Sequence, residues 1–221
     1  MPAKVRNLID VLYKAHKDNA VLYYYSTRDK NKLGTLIMPV TPFIFEFFIY
    51  NALYEIDWQK SMEIEEVTYY PESETETKKQ RKFAKFLRKY SERNPNLLYR
   101  AFARIKDMSL EGEWTQVVPD SRITSQHGES FFRKLREIRN ALNEQGKNEA
   151  EQKEKFNFSN FFKSIQKCQY FIYLVRNNIF HGSKGIGETY ERKQKKCIEV
   201  YLTFLRCLTS LFFSVIFHKA I

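Results

Sequence analysis

Apolar residues recur at helical spacing along the C-terminal part of the chain, and this repeat constrains the fold more than any other feature. Between about 160 and 180, the stripe that includes Ile165, Cys168 and Ile172 advances by three or four residues at each step, and a second stripe runs from about 188 to 218. Such steps put side chains on one face of an α-helix, whereas a half-buried strand would alternate. Two long amphipathic helices need partners that cover their apolar faces, so the repeat predicts a helical bundle.

The rest of the chain favours the same class, an all-α antiparallel bundle. Only 7 of the 221 residues are glycine and 6 are proline, which argues against a many-stranded sandwich. Thr41 and Pro42 predict a helix start, because threonine can cap free N–H groups and proline fits the first turn, and Ser159 predicts another. Residues 21–40 fit a short hairpin or an irregular connection. Further helices are predicted at about 3–17, 41–59, 78–90, 96–108 and 129–143.

The chain is predicted to be a single domain over 1–221 with an elaborated insertion at about 61–155. Residues 61–77 carry six glutamates and no basic residue, and residues 78–89 then carry lysines and arginines interleaved with aromatic residues. This change of sign predicts an acidic loop followed by a basic amphipathic helix. The polar segment 143–155 predicts a solvated connection.

The formal net charge of +11 points to polyanionic partners, nucleic acid before anionic membrane. The RNA-contact candidates on the basic helix are Lys82, Lys85, Arg88 and Lys89. Two other interpretations stay open, since a basic run is often a solvated face and this one could also dock on the acidic segment 63–76.

Three cysteines without C-x-x-C spacing predict a reducing, cytoplasmic compartment with no disulfide framework. The N-terminus lacks the apolar core of a signal peptide. The most apolar stretch, between Arg206 and His218, has 11 residues, too few to span a bilayer, so we expect a buried helix and no membrane segment. Three histidines, His16, His127 and His218, stand alone without ligand spacing, and no metal site or cofactor is expected.

The segment most suggestive of chemistry is R-N-N-I-F-H, Arg176 to His181, at the end of the first long apolar helix. A histidine titrates near neutrality and can serve as proton donor or acceptor. A guanidinium can stabilise the charge that gathers on phosphate oxygens. Asn177 lies four residues before His181, on the same helical face, and could orient the ring or hold a phosphate oxygen. These groups suit RNA cleavage by the ribose 2′-hydroxyl, which requires no metal.

This segment resembles the HEPN superfamily, whose hallmark is an arginine, a short spacer and a histidine, often with a polar residue after the arginine. The pattern around Asn51 in FFIYNALYEIDW is similar to the N-terminal helix of some HEPN groups. The resemblance covers about 41–59 and 160–218. It implies a helical bundle that forms a homodimer with one composite cleft, and a metal-independent endoribonuclease that leaves a 2′,3′-cyclic phosphate. It also implies a role as a toxin or as an antiviral or abortive-infection effector, with a possible antitoxin or defence-complex partner.

Structural roles are the alternative for each of these residues. Arg176 could be a surface residue and His181 a cation at a helix C-terminus. Arg122 and His127 match the bare arginine–histidine spacing too, but lack the apolar helix before them. Further candidates for the cleft are Glu46, Asn51 and Asn178, and Lys184 is a further RNA-binding candidate. Glu46 could instead pair with a buried lysine or arginine, and Asn51 could cap backbone.

The leading functional interpretation is therefore a ribonuclease with Arg176, Asn177 and His181 at its catalytic site. Two alternatives stay open: a non-catalytic HEPN module that binds RNA or a nucleotide, and a helical interaction subunit of a defence complex.

Overall fold

The computed structural model describes residues 3–28, 40–64, 66–108, 110, 125–145, 156–180 and 188–219. Within these ranges the chain forms helices and no strand, apart from one isolated bridge between Ile56 and Tyr69. The all-α prediction is confirmed. The helices are α1 (Ala3–Arg28), α2 (Val40–Tyr54), α3 (Trp58–Ile64), α4 (Glu76–Arg93), α5 (Pro95–Ala101), α6 (Ala103–Lys106), α7 (Ser125–Gln145), α8 (Phe158–Phe180) and α9 (Glu188–Lys219).

The two long C-terminal helices organise the core, as their apolar repeats predict. Helix α9 packs against α2, α5, α4, α6 and α1, and α8 packs between α7 and α4. Aromatic rings fill the contacts: the ring centroids of Trp58 and Phe212 are 4.6 Å apart, and those of Phe131 and Phe171 are 4.8 Å apart. Such contacts come from α3, α7, α8 and α9 together, so one apolar cluster joins these helices.

Helix α1 is longer than the sequence predicts. It runs to Arg28, so residues 21–28 are helical, and the expected hairpin or irregular connection is wrong for them. Residues 29–39 lie outside the described part of the chain. The β-preference of aromatic residues depends on context, so a β-prone run can continue a helix that begins upstream.

The helix predicted at 41–59 divides into α2 and α3 around Asp57. The Asp57 carboxylate accepts a hydrogen bond from the backbone N–H of Lys60 at 3.1 Å, which caps α3. The Trp58 indole donates to the carbonyl of Leu53 at 2.6 Å, so the fully buried tryptophan joins the two helix ends. The prediction of one continuous helix is therefore wrong.

The apolar sequence of α2 suggests a helix that is enclosed on all sides, but the structure exposes one of its faces. Phe43 and Phe47 are buried, whereas Phe45 and Phe48 are 51% and 48% exposed. One face of α2 therefore presents aromatic rings to solvent.

Smaller differences concern helix boundaries. The predicted 96–108 helix is divided at Phe102 into α5 and α6, and α7 begins at Ser125 instead of about 129. Ser159 is inside α8 and does not cap it. The Asn157 side chain takes that role, since it accepts from the backbone N–H of Asn160 at 3.0 Å.

Within the described residues, the segment of α9 from Lys196 to His218 is long and apolar enough to cross a membrane by length and composition. The expectation of no membrane segment was based only on the 11 residues between Arg206 and His218. In the structure 72% of the longer segment is buried against other helices, as in the core helix of a bundle.

Candidate active site

Arg176 and Asn177 lie near the C-terminal end of α8, both half-buried. Asn178 belongs to the same helix, but its side chain lies outside the described residues, as do His181 and Lys184. Arg122 of the second arginine–histidine pair is also outside them. The placement of Arg176 and His181 at one catalytic site is therefore still a prediction.

Two of the contacts that hold the Arg176 guanidinium are defined by distance. Its Nη1 donates a hydrogen bond to Asn177 Oδ1 at 2.9 Å, and its Cζ lies 5.6 Å from the ring centroid of Phe47 on α2. Adjacent helical residues project about 100° apart, so the arginine side chain must bend sideways to reach the amide. A half-buried cation over an aromatic face gains more than an exposed one. The pair therefore holds a positive charge at a defined place beside α2.

Among the described residues, the side chain of Asn51, one turn beyond Phe47 on α2, binds neither a backbone group nor a residue of the proposed cleft. Its Oδ1 accepts a hydrogen bond from the Tyr54 hydroxyl at 2.5 Å. This bond is between side chains of one helix, where a backbone cap or a place in the cleft was expected.

Glu46 is fully buried at the centre of a polar network that joins α1, α2 and α9. Its Oε1 lies 2.7 Å from His16 Nδ1 and accepts from the Thr209 hydroxyl at 2.5 Å. Its Oε2 accepts from Asn19 Nδ2 at 3.0 Å. His16 Nε2 lies 3.2 Å from Ser210 Oγ. Glu46 therefore pairs with a histidine, and the expected lysine or arginine partner is wrong.

This network, defined by Glu46, His16, Asn19, Thr209 and Ser210, is called the Glu46 network below. Burial alone would raise the pKa of Glu46, but the hydrogen bond and charge of His16, with the bonds from Thr209 and Asn19, outweigh it and lower that pKa. The carboxylate is thus kept ionised in the core. The sequence shows no ligand spacing for His16, but the spacing of His16 from Val5, Ile9 and Leu12 puts it on the buried face of α1.

The order Ser210, His16, Glu46 has the connectivity of a hydrolytic triad, but the backbone around it does not suit that chemistry. Ser210 is in the interior of α9, where the backbone amides donate to helical carbonyls. An acyl-transfer site needs free donors for the developing oxyanion. The Glu46 network therefore acts as a structural connection among three helices.

The basic helix α4 has part of its charge paired. Lys82 Nζ donates to Glu74 at 2.7 Å, and Arg88 Nε donates to Glu92 at 2.6 Å. The Lys82 contact joins α4 to the acidic segment, which is the docking alternative. Lys85 and Lys89 are exposed and line a groove between α3 and α4.

Among the described residues no group of three histidine, cysteine or carboxylate side chains could hold a metal ion. Comparison of the chain with models of protein families, with curated proteins and with solved structures yields no match.

Proposed function

We propose that this protein is a metal-independent endoribonuclease of HEPN type. The observation that carries the proposal is the Arg176–Asn177 pair, held against Phe47 at a helix end and followed by His181 four residues after Asn177. A guanidinium anchored in this way is suited to bind a phosphate, and the formal charge of +11 favours a polyanionic substrate.

In the proposed reaction, a ribose 2′-hydroxyl attacks its neighbouring phosphate. The oxygen–phosphorus bond forms as the bond to the 5′-oxygen breaks, which gives a 2′,3′-cyclic phosphate and a 5′-hydroxyl. His181 moves the proton, as base toward the 2′-hydroxyl or as acid toward the leaving oxygen. Arg176 stabilises charge on the phosphate oxygens, and Asn177 orients Arg176 through their hydrogen bond.

The proposal includes a homodimer with a composite cleft. Its support is the aromatic face of α2, where Phe45 and Phe48 are about half exposed on the helix whose Phe47 contacts Arg176. A second copy on this face would bury these two rings and place both α2 helices, which carry the Phe47–Arg176 contact, at the interface. Introducing Phe45→Glu should shift the sedimentation coefficient toward that of a monomer and reduce cleavage. A monomeric wild-type protein that cleaves RNA would contradict the dimer.

The defining experiment measures cleavage of single-stranded RNA in EDTA by the wild type, Arg176→Ala and His181→Ala. General acid–base and phosphate-binding groups typically contribute about 100-fold or more, so each variant should lose about that factor. His218→Ala is the matched control, because this exposed histidine contacts Asn94 at 3.1 Å on another part of the molecule. Equal cleavage by His181→Ala and the control would remove the histidine from the chemistry.

Two results would favour the alternatives. Tight RNA binding that leaves the RNA intact would favour a non-catalytic binding module. Stoichiometric co-purification with another protein, without salt-sensitive RNA affinity, would favour an interaction subunit of a defence complex.

A further inference from the structure

A second concave site lies where α4, α7 and α8 meet, away from the Arg176–Asn177 pair. It is a cavity of about 470 Å³, within the range of small-molecule sites. Helix α8 carries both sites. Gln169 in the cavity wall and Arg176 are seven residues apart, which corresponds to about 10 Å along the helix axis. We call this space the α4–α8 cavity.

The charged side chains that line the α4–α8 cavity are all basic among the described residues. Arg81 enters from α4, and Lys163 and Lys167 enter from α8, one turn apart. None of the described residues that line the cavity is acidic. Like charges that converge without a carboxylate repel one another, so an anion would relieve this repulsion. Cavity walls of low dielectric strengthen such an attraction relative to a flat surface.

The cavity wall also contains buried carboxamides. Gln169 is fully buried and Gln80 is 4% exposed. Within the described chain, both polar atoms of Gln169 and Nε2 of Gln80 lack an aligned hydrogen bond. The Tyr50 hydroxyl lies close to the Gln169 carboxamide, but it too has no aligned partner.

Buried amides without partners are costly, and native proteins usually satisfy them with protein, water or ligand. A carboxamide offers a donor and an acceptor side by side, which matches the edge of a nucleobase. The cavity is also aromatic, since Tyr170, 45% exposed, and Phe131 line it. An aromatic ring of this kind can stack on a base of any sequence.

From these observations we propose that the α4–α8 cavity binds a nucleotide, with the phosphate on Arg81, Lys163 and Lys167 and the base stacked on Tyr170. The Gln169 carboxamide is fully buried beside the cavity, so its side chain must turn toward the ligand to meet the base edge. The volume suits one nucleotide, either free or as one residue of a single strand. The inference stands apart from the nuclease proposal, because it concerns binding on another part of α8.

The first test measures binding of AMP, UMP and ribose 5-phosphate to the full chain by calorimetry at constant ionic strength. At least one nucleotide should bind about tenfold more tightly than ribose 5-phosphate, because only the nucleotide has a base for the carboxamide and the ring. Equal affinity for all three would overturn the proposal. Gln169→Met keeps the volume of the side chain, and it should remove the base-dependent advantage while retaining the helical circular dichroism. An unchanged advantage would contradict the role of the carboxamide.

The second test removes two positive charges at a time. Lys163→Ala/Lys167→Ala should weaken nucleotide binding about tenfold, whereas Lys4→Ala/Lys14→Ala, a matched control at two exposed positions of α1, should change it less than twofold. Equal weakening by the two pairs would mean non-specific attraction and would overturn the site.

A third arm distinguishes the two sources of the nucleotide. A ten-residue 2′-O-methyl RNA cannot be cut through its 2′-oxygen, so its affinity can be measured with the wild type. In the Lys163/Lys167 variant, a larger loss of affinity for this strand than for AMP indicates an RNA residue. The reverse indicates a free nucleotide, and a loss for neither probe overturns the proposal. Absence of cleavage with this binding intact would reject only the nuclease.

Discussion

The Glu46 network and the Arg176–Asn177 pair place ionic groups in opposite settings. Glu46 is sealed in the core, where His16, Asn19 and Thr209 supply its hydrogen bonds from two other helices. Arg176 is half-buried at a helix end, bonded to its own neighbour in sequence and covered on one side by a ring. A group enclosed by protein partners stabilises the fold, whereas a cation fixed at the edge of the core can also meet a ligand. The Glu46 network therefore has the setting of a structural connection, and the Arg176–Asn177 pair has the setting of the proposed RNA-binding site.

Among the variants that test this difference between the two regions, Glu46→Ala should have the largest effect. It removes the acceptor for three buried donors and should lower the free energy of unfolding by about 3–5 kcal/mol. Urea denaturation followed by circular dichroism gives this value. Glu92→Ala is the control, because it removes a carboxylate from an exposed pair on α4 and should cost less than about 1 kcal/mol. Equal losses for the two variants would show that the Glu46 network contributes no special stability.

Acid should weaken the same network. The pKa of Glu46 is lowered on folding, so the unfolded chain takes up the proton first. The carboxylate therefore contributes stability that is fully present above its ordinary value of 4.5 and is lost as pH falls through the lower folded pKa.

The reference for this pH dependence is His16→Gln/Glu46→Gln, in which neither central group of the network titrates. The free energy of unfolding of the wild type should fall more steeply than that of the double variant between about pH 5 and pH 3. Parallel curves over this interval would show that ionised Glu46 does not stabilise the fold.

The sequence predicted helices with long apolar repeats well, but it predicted contacts between helices poorly. Helices α8 and α9 were predicted within about two residues, because their apolar stripes extend over many turns. The division of α2 from α3 was missed, because one capping residue, Asp57, interrupts an apolar run that otherwise continues. The C-terminal part of α1 was missed because the β-preference of its aromatic residues, which depends on context, was weighed above continuation of the helix.

The same distinction holds for the two polar regions. Arg176 and Asn177 could be proposed together because they are adjacent in the chain. The bond between Glu46 and His16 joins residues 30 positions apart, and only the packing of α1 on α2 brings them together. A buried acid in an apolar helix signals a missing partner, but it does not identify that partner.

Asn177→Ala tests the orientation of Arg176. It removes the acceptor for Nη1, so the guanidinium should lose its fixed position, and proposed RNA cleavage should fall about 10- to 100-fold. The free energy of unfolding should fall by only about 0.5–1.5 kcal/mol. Asn160→Ala, at an exposed position of the same helix, is the control and should leave both quantities unchanged. A large loss of stability with unchanged cleavage would reverse the assignment of this pair.

The contact between Arg176 and Phe47 should have the smallest effect, and a double-mutant cycle isolates it. Phe47→Leu removes a buried ring and is costly by itself, so its separate effect does not report on the cation. The coupling free energy between Phe47→Leu and Arg176→Ala, from urea denaturation of all four proteins, should be about 0.5–1 kcal/mol, because the contact at 5.6 Å is only partly shielded from solvent. Zero coupling would mean that the ring fills space without holding the guanidinium. A coupling well above this range would instead make Arg176 part of the core, like Glu46, and the division between the two regions would no longer hold.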